Sequence, residues 1–428
     1  MRTQRLLSRD VGPLSEYEAR QFLRHAARVR SLHLSPSCDR HVHLLDVLIG
    51  TNVFPKLLVL ECGELSDTKF LRLFLSPTLR QCVLPVSHSN LKSIGTHCPV
   101  LESLSITNPD FYTPDEVSLL SHTVRSCKRL VNLHCHQLDS AAWEYLAGLP
   151  TLLTLNILVH EAYPLAWDPL YFACFLNITT LVFDVHTGAD VVTILQHSEF
   201  PSLKEFEMDV FLLLWNMAEQ LLSALSKCKA FETLECIRIS SDPEFCDAEL
   251  SDVPLTVLRY FFPFSLLKTL RLRIHHRIYL DNNLLLEAMS SWPHIRNLEL
   301  MDRRDLDYRP LYLVTFRGLF AALRMCPHLN TLQISMDARK IDIDVEAEPF
   351  QHASLQNFIV CDSYIQDPYT VARIIFLMFP SINVIYHYSN NPDPWNAVNN
   401  FLGDFRVPWR KIEDGEHLMG LQEALNSI

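Results

Sequence analysis

Residues 98–106 read CPVLESLSI, and this short phrase decides how the whole chain is interpreted. It consists of an apolar residue or cysteine, a proline, one variable residue, and then the pattern L-x-x-L-x-L. Close variants begin at six other positions, namely Phe54, Leu149, Phe200, Trp292, Cys326 and Phe379. A phrase that returns at a regular interval indicates a structural repeat, so repeat architectures are considered before any single compact fold.

Aligning the chain on the first leucine of the phrase gives fourteen units. The first positions are Val29, Leu57, Leu79, Leu101, Leu130, Leu152, Ile178, Leu203, Phe231, Leu267, Ile295, Leu329, Leu355 and Ile382. The mean step is about 27 residues, within the range of leucine-rich repeats. The residue three positions further on is apolar in every unit, and the residue five positions further on is apolar in all units except the last, which has His387.

Each L-x-L predicts one short strand with two side chains turned into the core. Helical patterns lie between the phrases, at residues 115–126, 141–148, 217–227, 284–290, 314–324 and 370–377. Helices are about 10 Å wide and strands lie about 4.8 Å apart, so stacked strand-helix units should curve. We therefore predict an α/β leucine-rich-repeat solenoid, a horseshoe like that of ribonuclease inhibitor. Its parallel sheet should line the concave face, and its helices the convex face.

Three regions follow from this alignment. Residues 1–28 are predicted to form an N-terminal helical cap, residues 29–388 the repeats, and residues 389–428 a polar C-terminal cap. Long steps between units indicate insertions, which we predict to be loops on one rim at residues 240–254, 302–310 and 340–351. A side chain such as Leu104 should be buried between neighbouring units.

Composition restricts the class of protein. The chain has 428 residues, 48% of them hydrophobic, and a net charge of −12. This charge argues against nucleic acid as a partner, because a nucleic-acid-binding surface needs a basic face. No signal peptide is recognised, and no apolar stretch approaches the roughly 18 residues of a membrane span. The sequence therefore predicts a cytoplasmic or nuclear protein that does not bind membranes.

Most of the twelve cysteines coincide with core positions of the repeat. Cys98, Cys127, Cys228 and Cys326 precede the first leucine by three residues, whereas Cys62, Cys135 and Cys236 fall on predicted strand positions. Cysteine at such places acts as a small hydrophobic residue, so we expect free thiols without disulfides.

Three groups of histidine and cysteine deserve comparison with metal sites. They are residues 38–43, His134-Cys135-His136 and the pair at residues 275–276. None has a second pair of ligands at the spacing of zinc sites, so no metal is expected. Nucleotide-binding, nucleophile-elbow and zinc-protease motifs do not occur. We therefore expect neither a cofactor nor catalytic residues, and no enzyme activity.

The predicted concave face is the candidate binding surface. Side chains between the two strand leucines should point there, and we select Glu205, Glu207, Glu235, Arg271, Glu299 and Gln333. Glu235 is predicted to stand on the next strand at the position that matches Glu207. Such a group would make the middle of the face acidic, and a basic segment of a protein partner would complement it.

The spacing of these phrases resembles the repeat region of fungal F-box proteins, especially the basidiomycete type. Residues 17–32, YEARQFLRHAARVRSL, are similar to the segment between F-box and repeats in that family, as is the phrase from Ser76 to Leu79 followed by residues 98–104. The resemblance implies recognition of substrates for a cullin-type ubiquitin ligase. No F-box is recognised here, so a ligase adaptor is expected as a partner only if an F-box lies upstream. The alternative is an F-box-free repeat scaffold or inhibitor.

Overall fold

A computed structural model describes most of the chain. The described residues are 13–35, 43–48, 52–63, 70–84, 91–106, 113–159, 173–230, 232–241, 255–274, 276, 278–302, 313–344, 350–361, 363–388 and 393–413. The chain divides into two compact units, residues 1–203 and residues 204–428. The two units are built on the same plan.

Unit 1 alternates strands with helices or short helical turns. In chain order its elements are α1 Glu16–Ala26, β1 Ser31–Leu34, a 3-10 helix His43–Leu48, β2 Val59–Cys62, α2 Leu71–Phe74, β3 Gln81–Leu84, α3 Leu91–His97, β4 Ser103–Ile106, α4 Pro114–Ser126, β5 Asn132–His136, α5 Ser140–Ala147, β6 Thr154–Val159, β7 Ala173–Cys174, β8 Thr180–Thr187, α6 Gly188–His197 and β9 Ser198–Glu199. Strands β1 to β6 and β8 form one parallel sheet in chain order, and β7 pairs with β9.

Unit 2 continues the alternation. Its elements are β10 Glu205–Leu212, α7 Trp215–Lys227, β11 Cys236–Ser241, a 3-10 helix Val257–Phe261, β12 Thr269–Ile274, α8 Asn282–Ser291, β13 Asn297–Asp302, α9 Phe316–Leu323, β14 Thr331–Ile334, β15 Asp337–Ala338, β16 Asn357–Cys361, β17 Tyr364–Ile365, α10 Pro368–Met378, β18 Tyr386–Tyr388 and α11 Asp393–Glu413. Strands β10 to β14, β16 and β18 form a second run of parallel neighbours, and β15 pairs with β17.

Each sheet buries one face because its side chains alternate between two sides. The first core position forms a continuous row across the strands of unit 1, composed of Leu32, Leu60, Cys82, Leu104, Leu133, Leu155 and Leu181. In unit 2 the same row contains Phe206, Ile237, Leu270, Leu298, Leu332 and Phe358, all without exposed surface. Leu104 is 1% exposed, which confirms its predicted burial.

Within each unit, a shared carbonyl group connects one leucine-rich repeat to the next at the start of the strand. The carbonyl oxygen of Arg80, for example, accepts hydrogen bonds from the N–H groups of both Glu102 and Ser103, each at 2.8 Å. The same two-donor arrangement occurs at the carbonyls of Arg30, Leu58, Glu102, Val131 and Leu153 in unit 1, and of Lys204, Glu235, Lys268, Arg296 and Asn330 in unit 2, at 2.7–3.1 Å. Each of these carbonyls lies one residue after the first core position of its repeat, which is Leu234 in the ninth repeat. The contact therefore fixes where the next strand begins.

The proline of the phrase lies in a tight turn that precedes this contact. In Cys98-Pro99-Val100-Leu101 the N–H of Leu101 donates to the carbonyl of Cys98 at 3.2 Å. The equivalent bond is present at the six other positions of the phrase and in Ser76-Pro77-Thr78-Leu79, at 3.0–3.3 Å. Its donors there are the N–H groups of Leu57, Leu79, Leu152, Leu203, Ile295, Leu329 and Ile382. Proline suits the second position of such a turn because its φ angle is already fixed near the required value. The turn directs both its first residue and the leucine into the core.

The predicted helices are present with ends shifted by one or two residues. Their starts follow the capping chemistry: Thr113 and Glu116 form a capping box at α4, and Asp139, Asp281 and Asp367 accept backbone hydrogen bonds at the starts of α5, α8 and α10. The horseshoe curvature stays a prediction. Most of the first two predicted insertions, at 242–254 and 303–310, lies outside the described residues, as do residues 345–349 of the third.

The predicted register of the ninth repeat, which lies in unit 2, is wrong by three residues. The sequence alignment placed Phe231, Leu234 and Cys236 in the core, but Phe206 pairs with Ile237 and Met208 with Ile239. Leu234 takes the first position, and it has no exposed surface. Both alignments put apolar residues at all three positions. The observed one places two β-branched isoleucines on the strand, where their shape fits the pleated surface.

The last strand of unit 2 is covered by helix α11. The amide of Asn399 bonds twice to the backbone of Ile385: its Oδ1 accepts from the N–H at 2.8 Å, and its Nδ2 donates to the carbonyl at 3.0 Å. Arg406 reaches the carbonyls of Pro380 and Ile382. Trp395 is 1% exposed and donates to the carbonyl of Ser363 at 2.8 Å. The side chain of Asn399 thus replaces the peptide group that a further strand would supply.

Replacing Asn399 with alanine should destabilise the protein by about 1–3 kcal/mol, because both backbone groups of Ile385 lose their partner. The matched control is Asn400→Ala, an exposed position on the same helix, which should change stability by less than about 0.5 kcal/mol. The measurement is the urea unfolding midpoint of each variant. Equal midpoints for the two variants would show that this contact does not hold the edge.

Candidate functional site

The open face of each sheet is the side opposite the buried rows. In unit 2 its central row contains one residue from each strand, namely Glu207, Arg238, Arg271, Glu299, Gln333, Ile359 and Tyr386. In unit 1 the corresponding row is His33, Glu61, Val83, Ser105, His134, Asn156 and Val182. The buried rows are apolar throughout, whereas charge, size and polarity in the open rows change from strand to strand.

Five of the six residues selected from the sequence lie on the open face of unit 2, and Glu235 does not. Arg238 stands opposite Glu207 in the parallel register. Glu235 lies one residue before β11. Its carbonyl accepts the N–H groups of Lys268 and Thr269 from the next repeat, and its carboxylate pairs with the Lys268 ammonium at 2.6 Å. This follows from the register correction in the ninth unit. Cys236 is corrected in the same way: it shares the side of Arg238, not the core side.

Glu299 is buried, and two arginines of the neighbouring strand hold it. Arg271 donates to its Oε1 at 2.6 Å, and Arg273 donates to its Oε2 at 2.9 Å. The carboxylate side chain is 6% exposed, while those of Arg271 and Arg273 are 36% and 34% exposed. A carboxylate removed from water needs such charged partners, because burying it alone would cost several kcal/mol. Glu299 therefore orients the two arginines on the open face.

The expected acidic middle is balanced by arginines. Arg238 lies 3.5 Å from Glu207, and the Arg271–Arg273 pair surrounds Glu299. Arg238 was not predicted on this face because of the register error. Arg273 was not predicted there either, although residues 269–274, TLRLRI, alternate so that Arg271 and Arg273 must share one side. That alternation is the signal by which Arg273 could have been found.

Beyond Glu299 the open face of unit 2 becomes uncharged. Gln333 is 1% exposed, and its Nε2 lies 3.3 Å from the sulfur of Cys361. It supports its neighbours and is not accessible to a partner. On the last strands Ile359 is half-buried and Tyr386 is 58% exposed. An aromatic side chain thus marks the C-terminal end of this face.

The open face of unit 1 carries mainly neutral polar groups. His33 and Glu61 on adjacent strands are joined at 2.8 Å. Burial lowers the pKa of His134, an effect that Asp184 partly opposes, so its neutral form is favoured near pH 7. Cys135 is fully buried on the opposite side, as the sequence predicted for the His134-Cys135-His136 group. Val83 and Val182 provide apolar positions between these groups.

Within the described residues, no group of three histidine, cysteine or acidic side chains could hold a metal ion. Most of residues 38–43 and His275 lie outside that part of the chain. Among the described helices, none is both long and apolar enough to cross a bilayer.

The ten described cysteines are free, and nine of them are buried. Burial raises the pKa of Cys98 and Cys326 to about 12, and of Cys127 and Cys228 to about 11. These thiols are held in their neutral form, which suits packing and not nucleophilic chemistry.

A strand, a tight turn and a helix that repeat around rows of leucine define the leucine-rich-repeat class, which typically binds proteins. No family model matches this chain, and no curated protein matches it. Among solved structures, an internalin of Listeria monocytogenes is similar over 88% of this chain and 86% of its own, with 10% sequence identity and a TM-score of 0.39.

The buried Glu299 carboxylate should matter far more to stability than the half-exposed one at Glu207. Glu299→Gln leaves Arg271 and Arg273 without a counter-charge and should destabilise the protein by roughly 1–3 kcal/mol. Glu207→Gln removes only a long, half-exposed ion pair, which is worth less than about 1 kcal/mol. Urea unfolding of both variants provides the comparison. A larger loss for Glu207→Gln would contradict the assigned burial.

Thiol alkylation should follow burial. With a pKa near 12, only on the order of one thiol in ten thousand is ionised at pH 8, and the thiolate is the reactive form. Iodoacetamide should therefore spare Cys98 and Cys326 in the folded protein, and among the ten described cysteines it should modify half-buried Cys174 first. In denaturant all twelve cysteines should react. Mass spectrometry after trypsin digestion gives the rates, and equal rates at Cys98 and Cys174 in the folded state would refute the assignment.

Proposed function

We propose that this chain is a protein-binding module that recognises its partner through the open faces of its sheets. One observation carries the proposal: side-chain chemistry in the open rows varies from strand to strand, while the buried rows are uniformly apolar. A row that need not satisfy the core is free to match another surface. Neighbouring parallel strands present these side chains about 4.8 Å apart, which suits recognition of an extended protein surface.

A finer proposal concerns the pathway. The repeat phrases and residues 17–32 resemble the substrate-recognition region of fungal F-box proteins, and this supports a role as the substrate receptor of a cullin-based ubiquitin ligase. The curved, horseshoe form of that region belongs to the same proposal. A ligase adaptor would then bind through an F-box outside the repeats. The protein partner on the open face would be the substrate.

The test compares two variants with the same change in charge. Ser105→Arg with Glu205→Arg places two arginines on open faces, whereas Glu144→Arg with Gln220→Arg places them on exposed positions of α5 and α7. Proteins captured from a cell extract by the full chain are quantified by mass spectrometry. The open-face variant should lose its specific partners by at least about tenfold, since central contacts dominate interface energies. The helix variant should retain them.

Equal capture by both variants would refute binding through the open faces. The identity of the captured proteins separates the finer proposal from a scaffold or inhibitor role. Adaptor and cullin subunits that co-purify with the full-length gene product support the ubiquitin-ligase receptor. Their reproducible absence, with open-face partners still captured, supports the scaffold.

A further inference from the structure

Charges on the open face of unit 2 are separated by strand. The three carboxylates Glu205, Glu207 and Asp209 all come from β10, because alternate residues share one side. The three guanidinium groups come from the next two strands, Arg238 from β11 and Arg271 and Arg273 from β12. An acidic strand therefore lies beside a basic pair of strands.

Pairing within the chain leaves charge at both ends of this pattern. Glu207 is matched by Arg238. Within the part of the chain that the structure describes, exposed Glu205 has no ion pair, and the only hydrogen-bond partner of Asp209 is the hydroxyl of Ser240. At the other end Arg271 and Arg273 share the single carboxylate of Glu299. Two negative charges, those of Glu205 and Asp209, thus remain over β10, and one positive charge remains over β12.

From this arrangement we infer that the partner segment is bipolar, with a basic side chain that contacts β10 and an acidic side chain that contacts β12. This inference rests on the proposed function and specifies the partner's chemistry. Two strand steps separate the two charges, so the complementary groups should lie about 10 Å apart. An acidic side chain would bind the guanidinium groups well, because each arginine has five N–H donors and uses one on Glu299.

A uniformly charged partner fits this surface less well. A basic segment, as expected from the sequence, would meet Glu205 and Asp209 but would face Arg238, Arg271 and Arg273 further along. An acidic segment would meet the opposite conflict. Juxtaposed like charges oppose association, so the pattern selects against both.

The experiment uses three synthetic dodecapeptides with a fluorescent label and six charged residues each. One has three lysines followed by three glutamates, one has six lysines, and one has six glutamates, with serine and glycine spacers. Binding to the full chain is followed by fluorescence anisotropy at low and at physiological salt. The mixed peptide should bind about tenfold tighter than either uniform peptide at low salt, and added salt should weaken it.

A charge reversal on β10 makes the test specific. Glu205→Lys with Asp209→Lys makes the pattern basic apart from Glu207 and Glu299, which are already paired with arginines, so the six-glutamate peptide should now bind best. Misfolding cannot produce such a gain. The control is Glu219→Lys with Glu232→Lys, the same charge change on α7 and in the turn after it, and the mixed peptide should remain preferred.

Three results would overturn the inference: the six-lysine peptide binding the unsubstituted chain best, no preference among the peptides, or a preference that the β10 reversal leaves unchanged. These results are independent of the capture experiment. If partners are lost on open-face substitution but the peptides show no charge preference, the proposed function stands and the bipolar partner is rejected. If the open-face substitutions leave the captured proteins unchanged, the proposed function itself is refuted.

Discussion

In each repeat, one carbonyl group accepts hydrogen bonds from two N–H groups of the following repeat, and the fold depends on this contact. It lies where the tight turn becomes the strand, so it fixes the position of each unit before any side chain packs. A strand displaced by one residue would turn its leucines to the wrong side. The proline turn supports this contact from one side, and the buried leucine row supports it from the other. Both arise from the same short phrase in the sequence.

The fold could be predicted because the phrase encodes local geometry and burial together. Proline fixes the turn, and the leucines after it can be buried only if one face of the strand packs into the core. Residues such as Leu101 and Leu104 were therefore assigned without ambiguity. The ninth unit shows the limit. There Phe231, Leu234, Ile237 and Ile239 offer two apolar alignments three residues apart, and only the contacts between strands decide between them. Curvature depends on how successive units rotate, which no single repeat encodes.

The candidate site was less predictable than the fold because it depends on pairs of residues far apart in sequence. Glu299 looked like one more exposed acid, yet two arginines from another strand enclose it. Gln333 occupies a face position but is buried beside Cys361. Such outcomes follow from the lengths and directions of neighbouring side chains, which periodicity does not describe. The strand-by-strand alternation of Arg271 and Arg273 was visible in the sequence, and a consistent register would have revealed the charge pattern.

The contact between Asn399 and Ile385 bears on how such a chain changes length during evolution. Asn399 of helix α11 bonds to the backbone N–H and carbonyl of Ile385, groups that the equivalent residue of every repeat possesses. Gene duplication or deletion of a whole unit would therefore present the helix with an equivalent edge. Gains and losses of about 27 residues should then be tolerated more readily than shifts of a few residues, which would disturb the turn.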